Sequence, residues 1–439
     1  MALDLIYLIT AFVATPFLLY RAIRYNKYRE GWGARLFGAV PRLDKAANGR
    51  KRVWFHAVSV GEVNLLKTIV ARVKADRPNY EFVVSATSKT GYDLARKLFE
   101  SECPVFYCPL DFSWSCARAM RRIQPDALVL VELELWPHLV KYASKIGARV
   151  VVINGRIGDE SFKRYKLARP FLASTFRRVD LIVANDERAA AYFRALSPCP
   201  ERVLVSGSIK YDGALRERSN AATRRLGELL QIAPNDVVFL AGSLQSPEES
   251  AALATYAALC DEFPQLRLII VPRHKERFEE VARLLDESGV PVTRRSTLGD
   301  APTGEVDQAG EAQGRKVERV VLVDTIGELG ALWGLAEIAF VGGSWGKRGG
   351  QNMLEPAGYG AAVSFGPNVR NFKTIAEALV NADAAVVVNS QEEMQAFVRK
   401  ALESKEYRER LGANARKLVE SGQGATERAL APFFALLDE

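Results

Sequence analysis

"RVWFHAVSVGEVNLLKTIVARV", residues 52–73, decides the fold. It opens on a short apolar run, turns through Ser59, Gly61 and Glu62, and continues with Val63, Leu66, Ile69, Val70 and Val73 at helical spacing. A brief apolar run followed at once by a 3.6-residue period reads as a buried strand entering a helix. The unit recurs along the chain. In the first half the strand-like runs are "RVWFHA", "EFVVSAT", "PVFYCPL", "ALVLVEL", "ARVVVIN", "DLIVAND" and "RVLVSGS", separated by helical patterns such as Glu62–Lys74, Thr90–Phe99 and Glu187–Leu196. The second half restarts with "DVVFLAGS", "LRLIIVPRH", "VERVVLVD", "IAFVGGS", "AAVSFGP" and "AAVVVNS". Such alternation predicts parallel sheets covered by helices on both faces. About thirteen strands are too many for one ordinary sheet, and 439 residues are too many for one ordinary core. The expected class is therefore α/β, with two doubly wound Rossmann-like domains.

The expected boundaries are an anchor at 1–25, a first domain at 26–208, a linker at 209–235, a second domain at 236–420 and a C-terminal helix at 421–439. The polar, Gly-rich stretch 294–317 reads as a mobile loop of the second domain. In open α/β sheets ligands bind at the carboxyl ends of the strands, so motifs at strand ends in both halves are expected to face one cleft.

The net charge is +8, and its location matters more than its size. Residues 21–52 carry ten Lys or Arg against only Glu30 and Asp44, an excess equal to that of the whole chain. A nucleic-acid binder usually spreads its cations over the folded domain. Here they form one block behind the apolar segment "LIYLITAFVATPFLLY", residues 5–20. A signal peptide has the reverse order. The arrangement suits an uncleaved N-terminal anchor, spanning or lying in the interface, with the basic flank on the cytoplasmic side. No nucleic-acid partner is expected. The five cysteines form no C-x-x-C pair and the three histidines are far apart, so neither a disulfide framework nor a structural metal is expected.

Chemistry-bearing residues cluster at strand ends. "FVGGSWGKRGGQNMLEPAGYG", residues 340–360, ends a strand in Gly342, Gly343 and Ser344 and runs through further glycines to Asn352 and Glu355. Glycines let a ligand approach the backbone, and amides at a helix start favour a phosphate. Asn352 and Glu355 share a helical face, where a carboxylate could take both hydroxyls of a ribose; the plainer reading is a capping box. Arg273 ends the strand in "IIVPRHKERF" and suits a phosphate or carboxylate. In the first half, Glu62 and the pair Glu132 and Glu134 of "LVLVELELWPHL" end apolar strands. Crowded, partly buried carboxylates have raised pKa values, which suits a general base. For Glu62 a simple charge at a helix N-terminus is an equal alternative. No G-x-G-x-x-G follows a strand, there is no GK[ST], and no D-x-D occurs, so neither a dinucleotide fingerprint nor a metal–diphosphate site is indicated.

Together these residues resemble one family, the 3-deoxy-D-manno-octulosonic acid (Kdo) transferases of lipopolysaccharide synthesis. The resemblance rests on the anchor with its basic flank and on "FHAVSVGEV", "VELELWP", "INGRI", "GSIKYD", "VPRHKERF", "DTIGELG", "FVGGSWGKRGGQNMLEPA" and "FGPNVRNF" in this order. It implies the two-domain glycosyltransferase architecture called GT-B, CMP-Kdo as donor, a lipid A precursor (lipid IVA) as acceptor at the cytoplasmic face of the inner membrane, inversion at the anomeric carbon, and no cofactor or bound metal. It further implies Glu62 as general base and a role for Glu132 or Glu134 in placing the acceptor or tuning Glu62. Ser59 and Gly61 fall on the acceptor side; Arg273, Gly343, Ser344, Asn352 and Glu355 fall on the donor side. Leu244, Gln245, Trp345, Gln351 and Asn368 depart from the family pattern, all on the donor side. The alternatives are a GT-B enzyme with another nucleotide sugar and a membrane-bound nucleotide-binding protein without activity.

Overall fold

A computed structural model describes residues 2–25, 30–44, 49–215, 217–299 and 316–438. The expected mobile loop and parts of the basic block fall largely outside the described residues. The chain divides into two compact units, one of residues 1–213 and 422–439, the other of residues 214–421.

The first unit holds seven strands: β1 (Arg52–Ala57), β2 (Glu81–Ala86), β3 (Val105–Tyr107), β4 (Ala127–Val131), β5 (Arg149–Gly155), β6 (Leu181–Ala184) and β7 (Val203–Val205). They pair in parallel in the order β3-β2-β1-β4-β5-β6-β7. Every residue of β1 is buried, as a central strand covered on both faces requires. One face packs under the helix Val60–Asp76, through Val63, Leu66, Ile69 and Val73. The order reverses between β1 and β4, which is where a doubly wound sheet opens a crevice at its carboxyl edge.

The second unit repeats the plan with β8 (Val237–Leu244), β9 (Leu266–Pro272), β10 (Val292–Arg294), β11 (Val320–Leu322), β12 (Ile338–Val341), β13 (Ala362–Phe365) and β14 (Ala385–Val387). Their order is β10-β11-β9-β8-β12-β13-β14, again all parallel, with the reversal between β8 and β12. The fold is thus two parallel-sheet α/β units of the Rossmann type.

The division between the two units falls after Gly213, within the segment 209–235 expected as a linker. Ile209 is buried in the first unit. The helix Ala221–Leu229 belongs to the second unit, where Thr223 donates its hydroxyl to the Ala331 carbonyl at 2.8 Å. The last helix, Ala425–Asp438, returns to the first unit and buries Ala425, Ala429, Leu430, Phe433 and Leu437 against β1, β4 and β5 side chains. Arg428 fixes its approach by donating to the Ser206 carbonyl at 2.7 Å.

The N-terminal segment is a helix, Ala2–Tyr25. Its start is tied to the first unit. Asp4 is buried and accepts from the Ser113 amide at 2.8 Å, and the Tyr7 hydroxyl donates to Asp111 at 3.0 Å. Leu5, Ile6, Ile9, Phe12 and Val13 remain exposed, Phe12 at 82%. A spanning anchor is not supported: among the described residues no helix is long and apolar enough to cross a membrane.

Candidate active site

Ser59 ends the turn after β1 and caps the helix Val60–Asp76. The Glu62 carboxylate bends back over that turn. One oxygen accepts from the Val58 amide at 2.7 Å and the other from the Ser59 hydroxyl at 2.7 Å, while the Glu62 amide reaches Ser59 Oγ at 3.5 Å. This is a capping box, so the helix-start alternative for Glu62 is realised. It does not exhaust the residue. Glu62 is only 7% exposed, and burial raises its pKa, helped by the nearby Glu132 charge and opposed by the Val58 and Ser59 hydrogen bonds.

Glu132 follows β4, the strand next to β1 across the reversal. It sits in the left-handed region at φ 62°, a conformation that costs a non-glycine residue on the order of 1–3 kcal/mol. Its amide bonds to the Ile153 carbonyl at 3.0 Å and its carboxylate lies 3.7 Å from the Lys210 ammonium. Glu134 accepts from the Trp136 indole at 3.0 Å. Burial pushes its pKa up to about 7, with Glu62 and Glu132 adding repulsion. The structure therefore brings all three expected carboxylates into one electrostatic group. Sequence reasoning had not singled out Lys210 in "GSIKYD" or Arg156 in "INGRI". Burial lowers the Lys210 pKa, Glu132 opposes the shift and Arg156 adds to it. Their signal was a cation past an apolar strand, within two of the motifs that carry the resemblance. His56, one strand-turn away, is no rival base: it is fully buried beside Ser85 and burial pushes its pKa down to about 4.

In the second unit, Arg273 follows β9, its amide held by the Leu244 carbonyl at 3.0 Å. Desolvation lowers its pKa and so does Arg348, while Glu355 opposes the shift. Arg348 is therefore near enough for its charge to act on Arg273, and a pair of guanidinium groups suits an anion. Arg348 is a third residue that the sequence had not singled out. Asn352 donates to Glu355 at 3.0 Å and accepts from the Leu354 amide at 3.2 Å. Burial raises the Glu355 pKa against the pull of Asn352, Trp333 and Arg273. The helix that follows, Leu354–Gly358, has five residues and is capped at Met353, so it offers little dipole for a phosphate.

Gly343 and Ser344 are engaged within the loop itself. Their amides do not face an open site; they donate to the Glu248 carboxylate at 2.7 and 2.9 Å. The Ser344 hydroxyl is fully buried, donates to the Val341 carbonyl at 2.8 Å and accepts from the Gly366 amide at 2.8 Å. Both residues build the loop from within. Two of the departures from the family pattern also fall into the scaffold: Leu244 is buried in β8, and Asn368 donates to the Trp345 carbonyl at 2.8 Å.

Among the described residues, no three His, Cys, Asp or Glu side chains are grouped to hold a metal. A family model described as 3-deoxy-D-manno-octulosonic-acid transferase (kdotransferase) matches residues 30–213. The chain is 31% identical over 380 residues to the 3-deoxy-D-manno-octulosonic acid transferase of Haemophilus influenzae, covering 86% of this chain and 85% of that protein. The chain belongs to the Kdo transferase family. This transferase is also 30% identical to the corresponding protein of Chlamydia trachomatis serovar D, over 87% of this chain and 84% of that one. Among solved structures, a glycosyltransferase from Rickettsia africae aligns with a TM-score of 0.57 at 10% identity, over 89% of this chain and 99% of that one. The UDP-GlcNAc 2-epimerase of Neisseria meningitidis aligns with a TM-score of 0.53 at 13% identity, over 84% and 99% respectively. At such identities the likeness concerns the fold, and it supports the GT-B architecture. The transferase is an enzyme of the glycosyltransferase class.

Proposed function

We propose that this chain transfers Kdo from CMP-Kdo to a lipid A precursor, with inversion at the anomeric carbon and Glu62 as general base. The observation that carries the reading is the carboxylate group at the reversal point of the first sheet. Glu62 is buried, its pKa is raised, and like charges surround it. A carboxylate in that state holds a proton more readily than a free one. It takes the proton of the acceptor hydroxyl as that oxygen bonds to the anomeric carbon. The bond from that carbon to the CMP phosphate breaks, and its electrons leave with CMP. Arg273 and Arg348 stabilise the departing phosphate, and Asn352 and Glu355 hold the ribose or the sugar. Lys210 holds Glu132 in place, and one of Glu132 and Glu134 orients the acceptor.

Gly61 supports an acceptor at the turn. A Cβ there would meet nothing closer than Ser59 Oγ at 3.8 Å. The fold itself therefore does not require glycine, and the open space there is available to an acceptor.

A lipid acceptor is supported by the surface beside the acids. Tyr165 is close enough to Glu134 for that carboxylate to raise its pKa further after burial. Just beyond it, Leu167 and Phe171 are 86% and 85% exposed. Lys163, Lys166, Arg169 and Arg178 flank them. Exposed apolar side chains with basic residues near them in the sequence suit acyl chains below anionic headgroups. The helix Ala2–Tyr25 presents a second exposed apolar surface. It would lie in the interface of the inner membrane on the cytoplasmic side, with the basic block against the lipid phosphates.

The test is the mass of the lipid product. Purified full-length protein in detergent is given a tetra-acylated lipid A precursor and CMP-Kdo generated in place, with UDP-sugars as parallel donors. A gain of one or more Kdo units with CMP-Kdo alone is expected. Transfer from a UDP-sugar instead, or CMP binding with no product, would overturn the assignment.

A further inference from the structure

Glu248 lies just past β8, on the first turn of the helix Glu248–Leu259. It has no exposed surface, and among the described residues no lysine or arginine forms an ion pair with it. Four backbone amides satisfy it instead. Gly343 and Gln245 donate to one oxygen at 2.7 and 2.9 Å, and Ser344 and Trp345 to the other at 2.9 and 3.0 Å. Three of these amides belong to the turn after β12, and β8 and β12 are the two strands at the reversal of the sheet. A concave run of backbone amides at that point is what receives an external anion in many α/β proteins. Here the protein supplies its own anion.

The glycines of the turn follow from that arrangement. A Cβ at Gly342 would lie 2.7 Å from Glu248 Oε2 and 2.8 Å from the Leu244 Cα. Gly343 has φ 65°, a left-handed conformation that glycine adopts without steric cost. The loop then closes on itself through the Gly350 amide and the Gly343 carbonyl, 2.9 Å apart, and Arg348 hangs from the closed segment. The glycine-rich sequence is thus built around an internal carboxylate rather than around a bound phosphate.

We infer that Glu248 is a positioning residue of the donor side: its carboxylate fills the amide pocket at the β8–β12 reversal, fixes the 343–350 loop, and so holds Arg348 beside Arg273. The donor phosphate is left to the two guanidinium groups. The inference rests on the proposed donor reading for its kinetic consequence, but not for the filling of the pocket.

Glu248→Gln is the most direct probe, because the amide nitrogen of glutamine meets N–H groups where an oxygen had accepted. The full-length protein in detergent is assayed with varied CMP-Kdo and varied lipid acceptor. Glu248→Gln is expected to raise the donor KM about tenfold or more, a change equivalent to roughly 1.4 kcal/mol. The acceptor KM and the kcat at saturating donor stay within about twofold of the wild type. Arg348→Ala is expected to raise the donor KM similarly, and the double variant to be no worse than the weaker single one, since one residue acts through the other. Additive effects, or a donor KM unchanged in Glu248→Gln, would overturn the inference. Glu248→Ala adds a readout free of catalysis. Sodium formate should raise its melting temperature while leaving that of the wild type unchanged, because formate refills the pocket. If formate acts alike on both proteins, the pocket is not an anion site. If the wild type binds no CMP, the donor reading fails while the formate result still decides the pocket.

Discussion

Glu62 and Glu248 occupy corresponding places in the two units. Each follows the first strand of its sheet, each lies on the first turn of the next helix, and each stands beside the strand across the reversal. Their surroundings differ. Glu248 takes four amides and keeps no surface. Glu62 takes one amide and one hydroxyl, and shares its neighbourhood with Glu132 and Glu134. A carboxylate with every lone pair occupied is scaffold, because a proton or a ligand would have to displace an existing bond. A carboxylate with few donors and like-charged neighbours takes a proton readily, and that is what a general base must do. On the proposed reading, one topological position serves chemistry in the first unit and architecture in the second.

The largest expected effect separates the two roles. Glu62→Gln removes the proposed base and should lower kcat by about 10²–10⁴-fold, while CMP affinity measured by calorimetry stays as in the wild type. Glu248→Gln should show the opposite profile, with KM affected and chemistry spared. Next in size is Arg273→Ala. Loss of a charge-assisted bond to the donor phosphate should lower kcat/KM for CMP-Kdo by about 10–100-fold, with the acceptor KM unchanged in the same assay.

The smallest effect concerns stability. The folded-state pKa of Glu134 is raised to about 7 from the ordinary 4.5. Ionising it therefore opposes folding: the penalty is absent below about pH 4.5, grows as the pH rises through 7, and is complete above that. Glu134→Gln should accordingly stabilise the protein at pH 8, on the order of 1 kcal/mol once solvent screening is allowed for. At pH 4 it should change nothing. Denaturant unfolding at the two pH values checks this.

Much of the comparison was legible in the sequence on one side only. The acids of the first unit stood out because "VSVGEV" and "VELELWP" place carboxylates directly after buried apolar runs, where a charge is costly without a task. The strand–helix alternation likewise showed two parallel sheets. Glu248 did not stand out. In "SPEES" it reads as an ordinary acid at a helix start, and only the pairing of β8 with β12, almost a hundred residues apart, brings the 343–345 amides to it. The same distance effect hid Lys210 beside Glu132, Arg348 beside Arg273, and the return of Ala425–Asp438 to the first unit. Local patterning reports what a segment buries, not which distant partner it meets.

The central claim is that burial, with Glu132 adding to it, raises the proton affinity of the proposed base Glu62. The most direct test is the pH dependence of kcat/KM for the lipid acceptor in the wild type and in Glu132→Gln. Activity should fall on the acid side as Glu62 takes up a proton, with a midpoint above the ordinary carboxylate value because burial and Glu132 both raise it. Removing the Glu132 charge should move that midpoint to lower pH. An acid limb at the ordinary carboxylate value, or one that stays in place when Glu132 is neutralised, would contradict the account.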